Sequence, residues 1–298
     1  MATAGTMLNN LEDFMKKIIS IIILSIQIFM LCACENKPKQ SDKLQVYTSF
    51  YAMHDFASRI GGEKADVYML CPPGQEPHDF EPTAQDMAKL SQADIFIYNG
   101  MGMEHWAEKV AKTLPETVTI IEASSFVDSD NSDPHVWLNP QYAYDEMSGI
   151  ADGFIEKDGV NKEYYEKQLS SAKELTDDLY DRLKKACDMF TTDTVIVSHD
   201  AYSHLCDLLG ITQMPVNGTD NSGEPTPQRI AEIENYIKDN NIKYVFCEPM
   251  GTSDIMDAMA KDTGCDILTL DPFEGRTDGE DYIKTMHENI DALTEALN

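Results

Sequence analysis

Two stretches of the chain alternate short apolar strands with helices, and a strand-free segment separates them. The predicted strands are Leu44–Ser49, Asp66–Cys71, Asp94–Tyr98 and Val118–Ile121 in the first stretch, and Thr194–Ser198, Ile211–Pro215, Tyr244–Cys247 and Ile267–Leu270 in the second. The predicted helices are Ala52–Ile60, Ala84–Leu90 and Glu104–Lys112, then Ala201–Leu209, Gln228–Asp239, Ser253–Asp262 and Asp281–Leu297. Such alternation predicts an α/β fold with two lobes, each a parallel sheet with flanking helices.

The segment from Asn161 to Met189 has no strand character and reads as one long amphipathic helix. Its apolar residues recur at spacings of three and four, at Leu169, Ala172, Leu175, Leu179 and Leu183. A helix of this size would be about 43 Å long and could join the two lobes rigidly. The predicted organisation is an N-terminal lobe at 44–160, a linking helix at 161–190 and a C-terminal lobe at 191–298. The alternative is two shorter helices, broken at Gly159.

The N-terminus is typical of a secretory signal. The basic start Met15-Lys16-Lys17 precedes an apolar run from Ile18 to Met30, which ends at Leu31-Cys32-Ala33-Cys34. The run is marginal for a spanning helix, which needs about 20 apolar residues. Leu-Cys-Ala-Cys resembles a bacterial lipobox, so we predict a signal region at 1–34, lipidation of Cys34 and a tether at 35–43. An ordinary signal or an uncleaved anchor is the alternative.

Charge and cysteine content exclude some classes of function. The formal net charge of −29 repels nucleic acid, so no nucleic-acid partner is expected. Beyond the signal region five cysteines remain, at Cys71, Cys187, Cys206, Cys247 and Cys265. They have neither CxxC pairs nor zinc-finger spacing, and they fit small buried hydrophobic residues better than ligands. The sequence assigns no disulfide.

Three histidines and one aspartate occupy positions suited to a binding site. His199 and Asp271 directly follow predicted strands, while His78 and His135 lie on loops between a strand and the next helix. Ligands of open parallel sheets bind outside the carboxyl ends of the strands. Each lobe contributes two of the four positions, so we expect them to meet in a cleft between the lobes.

Three imidazoles and one carboxylate form a four-coordinate set that suits Zn²⁺. Zinc is therefore the predicted ligand, with its affinity falling as pH drops through about 6, near the ordinary histidine pKa. Glu248 follows a strand at the same edge, and a hydrogen bond from a ligand imidazole to its carboxylate is expected. Asp79 and Asp200 are similar candidates, with helix capping as the alternative.

Several motifs together resemble one protein family over nearly the whole mature chain, from Leu44 to Leu297. They are Pro-His-Asp-Phe-Glu-Pro around His78, the segment 93–104, Asp-Pro-His-Val-Trp-Leu-Asn-Pro around His135, Ser-His-Asp-Ala-Tyr around His199, Glu224-Pro225-Thr226-Pro227 and Leu-Asp-Pro around Asp271. The chain is similar to the zinc- and manganese-binding receptors of bacterial ABC importers, the metal-binding lipoproteins.

The resemblance implies two α/β lobes joined by one long helix, with the metal between the lobes. It implies the same four ligands, His78, His135, His199 and Asp271. It also implies a binding protein rather than an enzyme, held by a lipid anchor at the extracytoplasmic face of the cell membrane, with an ABC importer permease as its partner. We expect a monomer.

The choice of metal depends on two departures within that family. Zinc receptors often carry a long His- and Asp-rich loop before the second ligand, but here the loop from Glu122 to Asp133 is short and has no histidine. Manganese receptors commonly have Glu at the third position, where this chain has His199. An imidazole favours zinc, whereas manganese prefers oxygen ligands. Zinc is therefore preferred, with Mn²⁺ or iron as the alternative.

Three other functions remain open at the level of sequence. A zinc-dependent hydrolase would need an open coordination position and a general base, and no HExxH motif is present. A receptor for a metal chelate would need a wide aromatic or Arg-lined cleft. An adhesin would need no metal at all. A second site at His204 and Cys206 is conceivable, although helix packing explains both residues.

Overall fold

The computed structural model of the chain describes Met15 and residues 43–218, 224–250, 253–275 and 281–298. Apart from Met15, the predicted signal region, including Cys34, lies outside the described residues, and so does the tether up to residue 42. Residues 43–298 form one structural unit.

Two four-stranded parallel sheets carry the fold, and both have the same topology. The first has the order β2-β1-β3-β4 and the second β6-β5-β7-β8. Their strands are β1 Leu44–Thr48, β2 Ala65–Met69, β3 Ile95–Tyr98, β4 Thr119–Glu122, β5 Thr194–Val197, β6 Thr212–Pro215, β7 Tyr244–Cys247 and β8 Asp266–Thr269. β3 and β5 are buried along their whole length, as expected for inner strands covered on both faces.

Nine α-helices lie in the described part of the chain. They are α1 Tyr51–Gly61, α2 Ala84–Leu90, α3 Ala107–Ala111, α4 Pro140–Lys157, α5 Lys162–Cys187, α6 Ser203–Leu209, α7 Pro227–Asn240, α8 Ser253–Thr263 and α9 Tyr282–Leu297. The two-lobe α/β architecture predicted from the sequence is therefore confirmed, with strand and helix ends within a few residues of the predicted ones.

The long helix α5 packs against both lobes. It contacts α1 and α4 on the side of the first sheet, and α6 and α9 on the side of the second. Its buried side chains are Tyr165, Ala172, Thr176, Leu179, Leu183 and Ala186, one stripe of the amphipathic pattern. At 26 residues it is about 39 Å long. A short 3-10 turn at Gly159–Asn161 separates it from α4, so the linking segment is one helix preceded by a second one.

Helix α4 was not among the helices predicted from the sequence. It begins with the N-cap Asn139, whose side chain accepts a hydrogen bond from the Gln141 amide. Two glycines on its buried face let it lie close to the first lobe. A Cβ at Gly149 would stand 2.2 Å from Cδ2 of Phe126, and one at Gly153 would stand 2.3 Å from Cδ1 of Ile121. Both glycines lower the helix propensity of the segment, which explains why its pattern is weak.

The five cysteines of the described residues are free thiols, and Cys71, Cys206 and Cys265 are buried. The burial of these three agrees with the expectation from the sequence, whereas Cys187 and Cys247 are partly buried. No helix among the described residues is long and apolar enough to cross a membrane.

Candidate metal centre

The candidate ligands converge at the carboxyl ends of strands from both sheets. His78 lies in the loop after β2 and His135 in the loop after β4, whereas His199 follows β5 and Glu274 follows β8. All four side chains are buried, and the imidazoles of His135 and His199 are fully inaccessible to solvent. The structure thus brings together the three histidines predicted from the sequence, and adds a carboxylate that the sequence did not indicate.

The facing atoms have the spacing of a tetrahedral metal site. Nε2 of His78 lies 3.3 Å from Nε2 of His135. Oε1 of Glu274 lies 2.8 Å from Nε2 of His135 and 3.6 Å from Nε2 of His199. Two ligand atoms bound to zinc at tetrahedral angles stand about 3.3–3.4 Å apart. Among the described residues, His78, His135 and Glu274 form a group whose ligand atoms all lie within 4.8 Å of one another.

Carboxylates on the far side of two imidazoles leave Nε2 of both rings facing the centre. Nδ1 of His135 lies 2.6 Å from Oδ1 of Asp133, and Nδ1 of His199 contacts Oε1 of Glu248. The Ser198 hydroxyl donates to the same Glu248 oxygen at 2.8 Å. An Nδ1–H donated to a carboxylate fixes the ring and its tautomer, which is the usual support for a metal-binding histidine. Glu248 thus contacts an imidazole as expected, and Asp133 was missed.

The loop after β8 places Glu274, rather than Asp271, against the histidines. Oδ1 of Asp271 accepts a hydrogen bond from the Phe273 amide at 2.7 Å, which closes a tight turn. Phe273 has a φ of 61°, in the left-handed region that few non-glycine residues adopt. The amide of Asn289 holds the backbone of Asp271 by two hydrogen bonds of 2.8 Å. The predicted fourth ligand therefore shapes the turn, and the turn brings Glu274 to the centre.

The imidazoles and carboxylates of the centre shift one another's pKa values. Burial by itself would lower the pKa of His135, but hydrogen bonds to Asp133 and Glu274 outweigh it and raise that pKa to about 9. The pKa of His199 also stands well above its ordinary value, because hydrogen bonds to Glu248 and Glu274 outweigh burial. Burial would raise the pKa of Glu274, yet its two imidazole partners hold it below the usual range. The centre is built to hold positive charge.

A narrow cavity beside the centre is lined by four acidic side chains. Glu76, Glu248, Asp271 and Glu274 line it together with Met250. The pKa of Glu76 rises to about 7, mainly through burial and then through the negative charge of Glu274. Four acidic side chains around one small space favour a cation over an anion or a neutral organic ligand.

Hydrogen bonds between side chains and the backbone hold the loops around the centre. The buried carboxylate of Glu104 accepts from the amides of Asn99 and Gly100, and the Asn99 side chain donates to the Pro134 carbonyl at 3.0 Å. The indole of Trp137 donates to the Pro272 carbonyl at 2.7 Å, which ties the His135 loop to the Glu274 loop. These hydrogen bonds tie the loops around the centre to one another.

Asp79, Asp200 and His204 do not belong to the group of facing ligand atoms among the described residues. Asp79 is exposed, and Asp200 accepts a hydrogen bond from the Gln213 side chain at 2.5 Å. Nε2 of His204 lies 2.8 Å from the Asp133 carbonyl oxygen, and its ring packs edge to face against Tyr142.

Known proteins are similar to this chain in both sequence and fold. Residues 46–296 match the family described as "Zinc-uptake complex component A periplasmic". The high-affinity zinc uptake system protein ZnuA of Bacillus subtilis is 30% identical over 95% of this chain and 98% of its own length. The Zn(II)-bound ZnuA-like domain of Streptococcus pneumoniae AdcA is 30% identical, with a TM-score of 0.78 over 86% of this chain and 99% of that one.

A second similar structure is the metal-dependent lipoprotein YcdH of Bacillus subtilis, which is 33% identical. Its TM-score is 0.79, over 86% of this chain and 100% of that chain. The family match spans both sheets, the linking helix and all four residues of the centre. The chain therefore belongs to the family of periplasmic component A of zinc-uptake complexes, the metal-binding receptors of ABC importers.

Proposed function

We propose that this protein captures Zn²⁺ outside the cytoplasm and delivers it to an ABC importer. Members of its family are substrate-binding proteins of transport systems, so the chain is a receptor and not an enzyme. Its relatives include a zinc uptake protein and a domain that binds Zn(II). The observation that carries the proposal is the buried convergence of Nε2 of His78 and His135 with the Glu274 carboxylate, together with Nε2 of His199, which lies 3.6 Å from the same carboxylate oxygen.

The proposed ligands are His78, His135, His199 and Glu274. Their atoms stand 2.8–3.6 Å apart in the measured pairs, which suits a small tetrahedral ion. A nitrogen-rich set favours zinc, whereas Mn²⁺ prefers oxygen ligands and larger coordination numbers. Four protein ligands also leave no open position for a water nucleophile, which argues against the hydrolase alternative.

The test is a titration of the chelator-stripped protein with Zn²⁺, in competition with Mn²⁺. We expect one tightly bound zinc ion, and a loss of affinity of more than about 100-fold in His78→Ala, because a ligand contributes more than its supporting residues. Preferential retention of Mn²⁺ would keep the receptor function and change its substrate. Absence of binding by either ion would refute the site.

A matched pair of variants decides the fourth ligand. Glu274→Gln removes the charge that faces the imidazoles, and Asp271→Asn keeps an acceptor for the Phe273 amide. We expect Glu274→Gln to lower zinc affinity strongly and Asp271→Asn to lower it only slightly. The reverse order would restore Asp271 as the ligand.

The membrane anchor and the partner follow from the same function. We propose that Cys34 carries a lipid that holds the receptor at the extracytoplasmic face of the membrane, where a permease accepts zinc from the monomer. Incorporation of labelled fatty acid into the protein, abolished by Cys34→Ala, would support the anchor. Unchanged membrane association of Cys34→Ala would refute it.

A further inference from the structure

Asp133 contacts both a ligand of the first lobe and a helix of the second lobe. It is 8% exposed and lies on the loop between β4 and α4. Its Oδ1 accepts hydrogen bonds from the backbone amide of His135 at 3.1 Å and from Nδ1 of the same residue at 2.6 Å. The carboxylate therefore fixes the orientation of the His135 ring.

The other acceptors of Asp133 face α6, which follows ligand His199 in the second lobe. Its Oδ2 accepts a hydrogen bond from the Ser203 amide at 3.2 Å, and its carbonyl oxygen accepts from Nε2 of His204 at 2.8 Å. Ser203 opens α6, so its amide has no partner within the helix, and the preceding residue Tyr202 provides no side-chain cap. All of these groups lie at the contact between the two lobes and are largely withdrawn from water.

We propose that Asp133 is a positioning residue that couples metal binding at His135 to the contact between the lobes. The inference rests on the proposed function. When the two lobes are in contact, α6 holds the Asp133 carboxylate and carbonyl in place, and the carboxylate holds the His135 ring ready for the metal. If the lobes separate, Asp133 loses Ser203 and His204 together, and the ring loses its fixed support. By reciprocity, a bound metal stabilises the contact between the lobes.

Two variants separate the two sides of Asp133. Asp133→Asn weakens both the support of the His135 ring and the hydrogen bond to the Ser203 amide of α6. His204→Phe, a change within α6, removes only the hydrogen bond to the Asp133 carbonyl. We expect zinc affinity to fall about 10–100-fold in Asp133→Asn, the usual effect of removing a supporting residue. We expect a fall of about 5-fold or more in His204→Phe, because it acts through the coupling alone. His204→Gln can place an amide nitrogen near the position of Nε2 and should restore wild-type affinity.

The matched control breaks a different hydrogen bond to the same helix. The side chain of Asn131 donates to Oδ2 of Asp207 at 3.0 Å at an exposed position, while its Oδ1 accepts from the Asp133 amide, a bond that a change at Asp207 leaves in place. Asp207→Ala should leave zinc affinity within about 2-fold of wild type, since exposed contacts contribute little. Thermal melting of each metal-free variant identifies any that fail to fold, and His204→Gln keeps the comparison interpretable if His204→Phe does.

Amide hydrogen exchange supplies a readout that a purely local role would not change. Zinc should slow exchange of the α6 amides in wild type and in His204→Gln, and should slow it less in Asp133→Asn and His204→Phe. If wild type binds zinc but α6 exchange does not respond, or if His204→Phe retains full affinity, the coupling is refuted while the receptor function stands. If wild type binds no zinc, the proposed function itself fails.

Discussion

Zinc binding should release protons from the metal-free centre even in neutral solution. In that centre, His135 has a pKa of about 9, because the carboxylates of Asp133 and Glu274 outweigh the effect of burial. The pKa of His199 is raised by Glu248 and Glu274 in the same way. A nitrogen that coordinates zinc cannot keep its proton, so the metal must displace what these rings hold.

The number of protons follows from the pKa values. At pH 7.5 a group with a pKa of about 9 is about 97% protonated, and a histidine with an ordinary pKa of 6.5 is about 9% protonated. Three ordinary histidines would therefore release about 0.3 proton in total. We expect His135 alone to release about one proton, with a further contribution from His199.

Calorimetric titration with zinc at pH 7.5 in buffers of different ionisation enthalpy measures the release directly. The slope of the observed enthalpy against the buffer ionisation enthalpy gives the number of protons. Glu274→Gln serves as the comparison, because without that negative charge both imidazole pKa values should fall and fewer protons should be released per zinc bound. Release of about 0.3 proton or less by wild type would refute the reasoning.

The same protons set the pH dependence, and the window differs from the one expected from the sequence. Zinc affinity should begin to fall as pH drops through about 9, not only near 6, by up to about tenfold per pH unit for each proton displaced. The stability of the metal-free protein should change in the opposite direction. A folded pKa raised above the unfolded value gives stability that is complete below about 6.5 and is lost as pH rises through about 9.

Three further predictions concern single groups or the metal itself. Glu248→Gln should weaken zinc binding about 10–100-fold, measured by competition with a chelator, because it supports His199. Removal of zinc should lower the free energy of unfolding by about 4 kcal/mol when free zinc is about 1,000 times its Kd, as urea titration would show. Among the described residues, Glu146 is fully buried and neither of its carboxylate oxygens has a hydrogen-bond partner, so its pKa stands well above 4.5. Because its folded pKa is raised, the cost of burying this carboxyl grows as pH rises, so Glu146→Leu should stabilise the protein more at pH 8.5 than at pH 6, whereas exposed Asp152→Asn on the same helix should change little.

The sequence predicted the strands well because each is a short apolar run bounded by polar or turn residues. Parallel pairing places the carboxyl ends of the strands at one edge of each sheet, and so three of the four proposed ligands could be placed before the structure was known. His78, His135 and His199 each stand beside a strand end or a proline-bounded turn. Helix α4 escaped prediction because close packing against Phe126 and Ile121 requires glycine at two buried positions, which weakens the local signal.

The fourth position could not be derived in the same way, since the end of a strand fixes an edge but not the path of the loop beyond it. Asp271 is the first polar residue after β8, yet its carboxylate accepts the Phe273 amide and closes a turn. The positive φ of Phe273 redirects the chain, and Glu274 then faces the imidazoles. In the sequence, Glu274 is marked only by the glycine that follows it. With 52 acidic residues in the chain, that pattern does not distinguish a ligand.

The arrangement also bears on how a receptor can hold a metal firmly and still deliver it. Each fixed imidazole has its own buried carboxylate, Asp133 for His135 and Glu248 for His199, and Glu274 lies between the two rings. When no metal is bound, protons on the two rings offset these negative charges at moderate pH. Exchange of protons for zinc then changes the charge of the centre only slightly, and a small change in the lobe contact through Asp133 can shift the balance toward release.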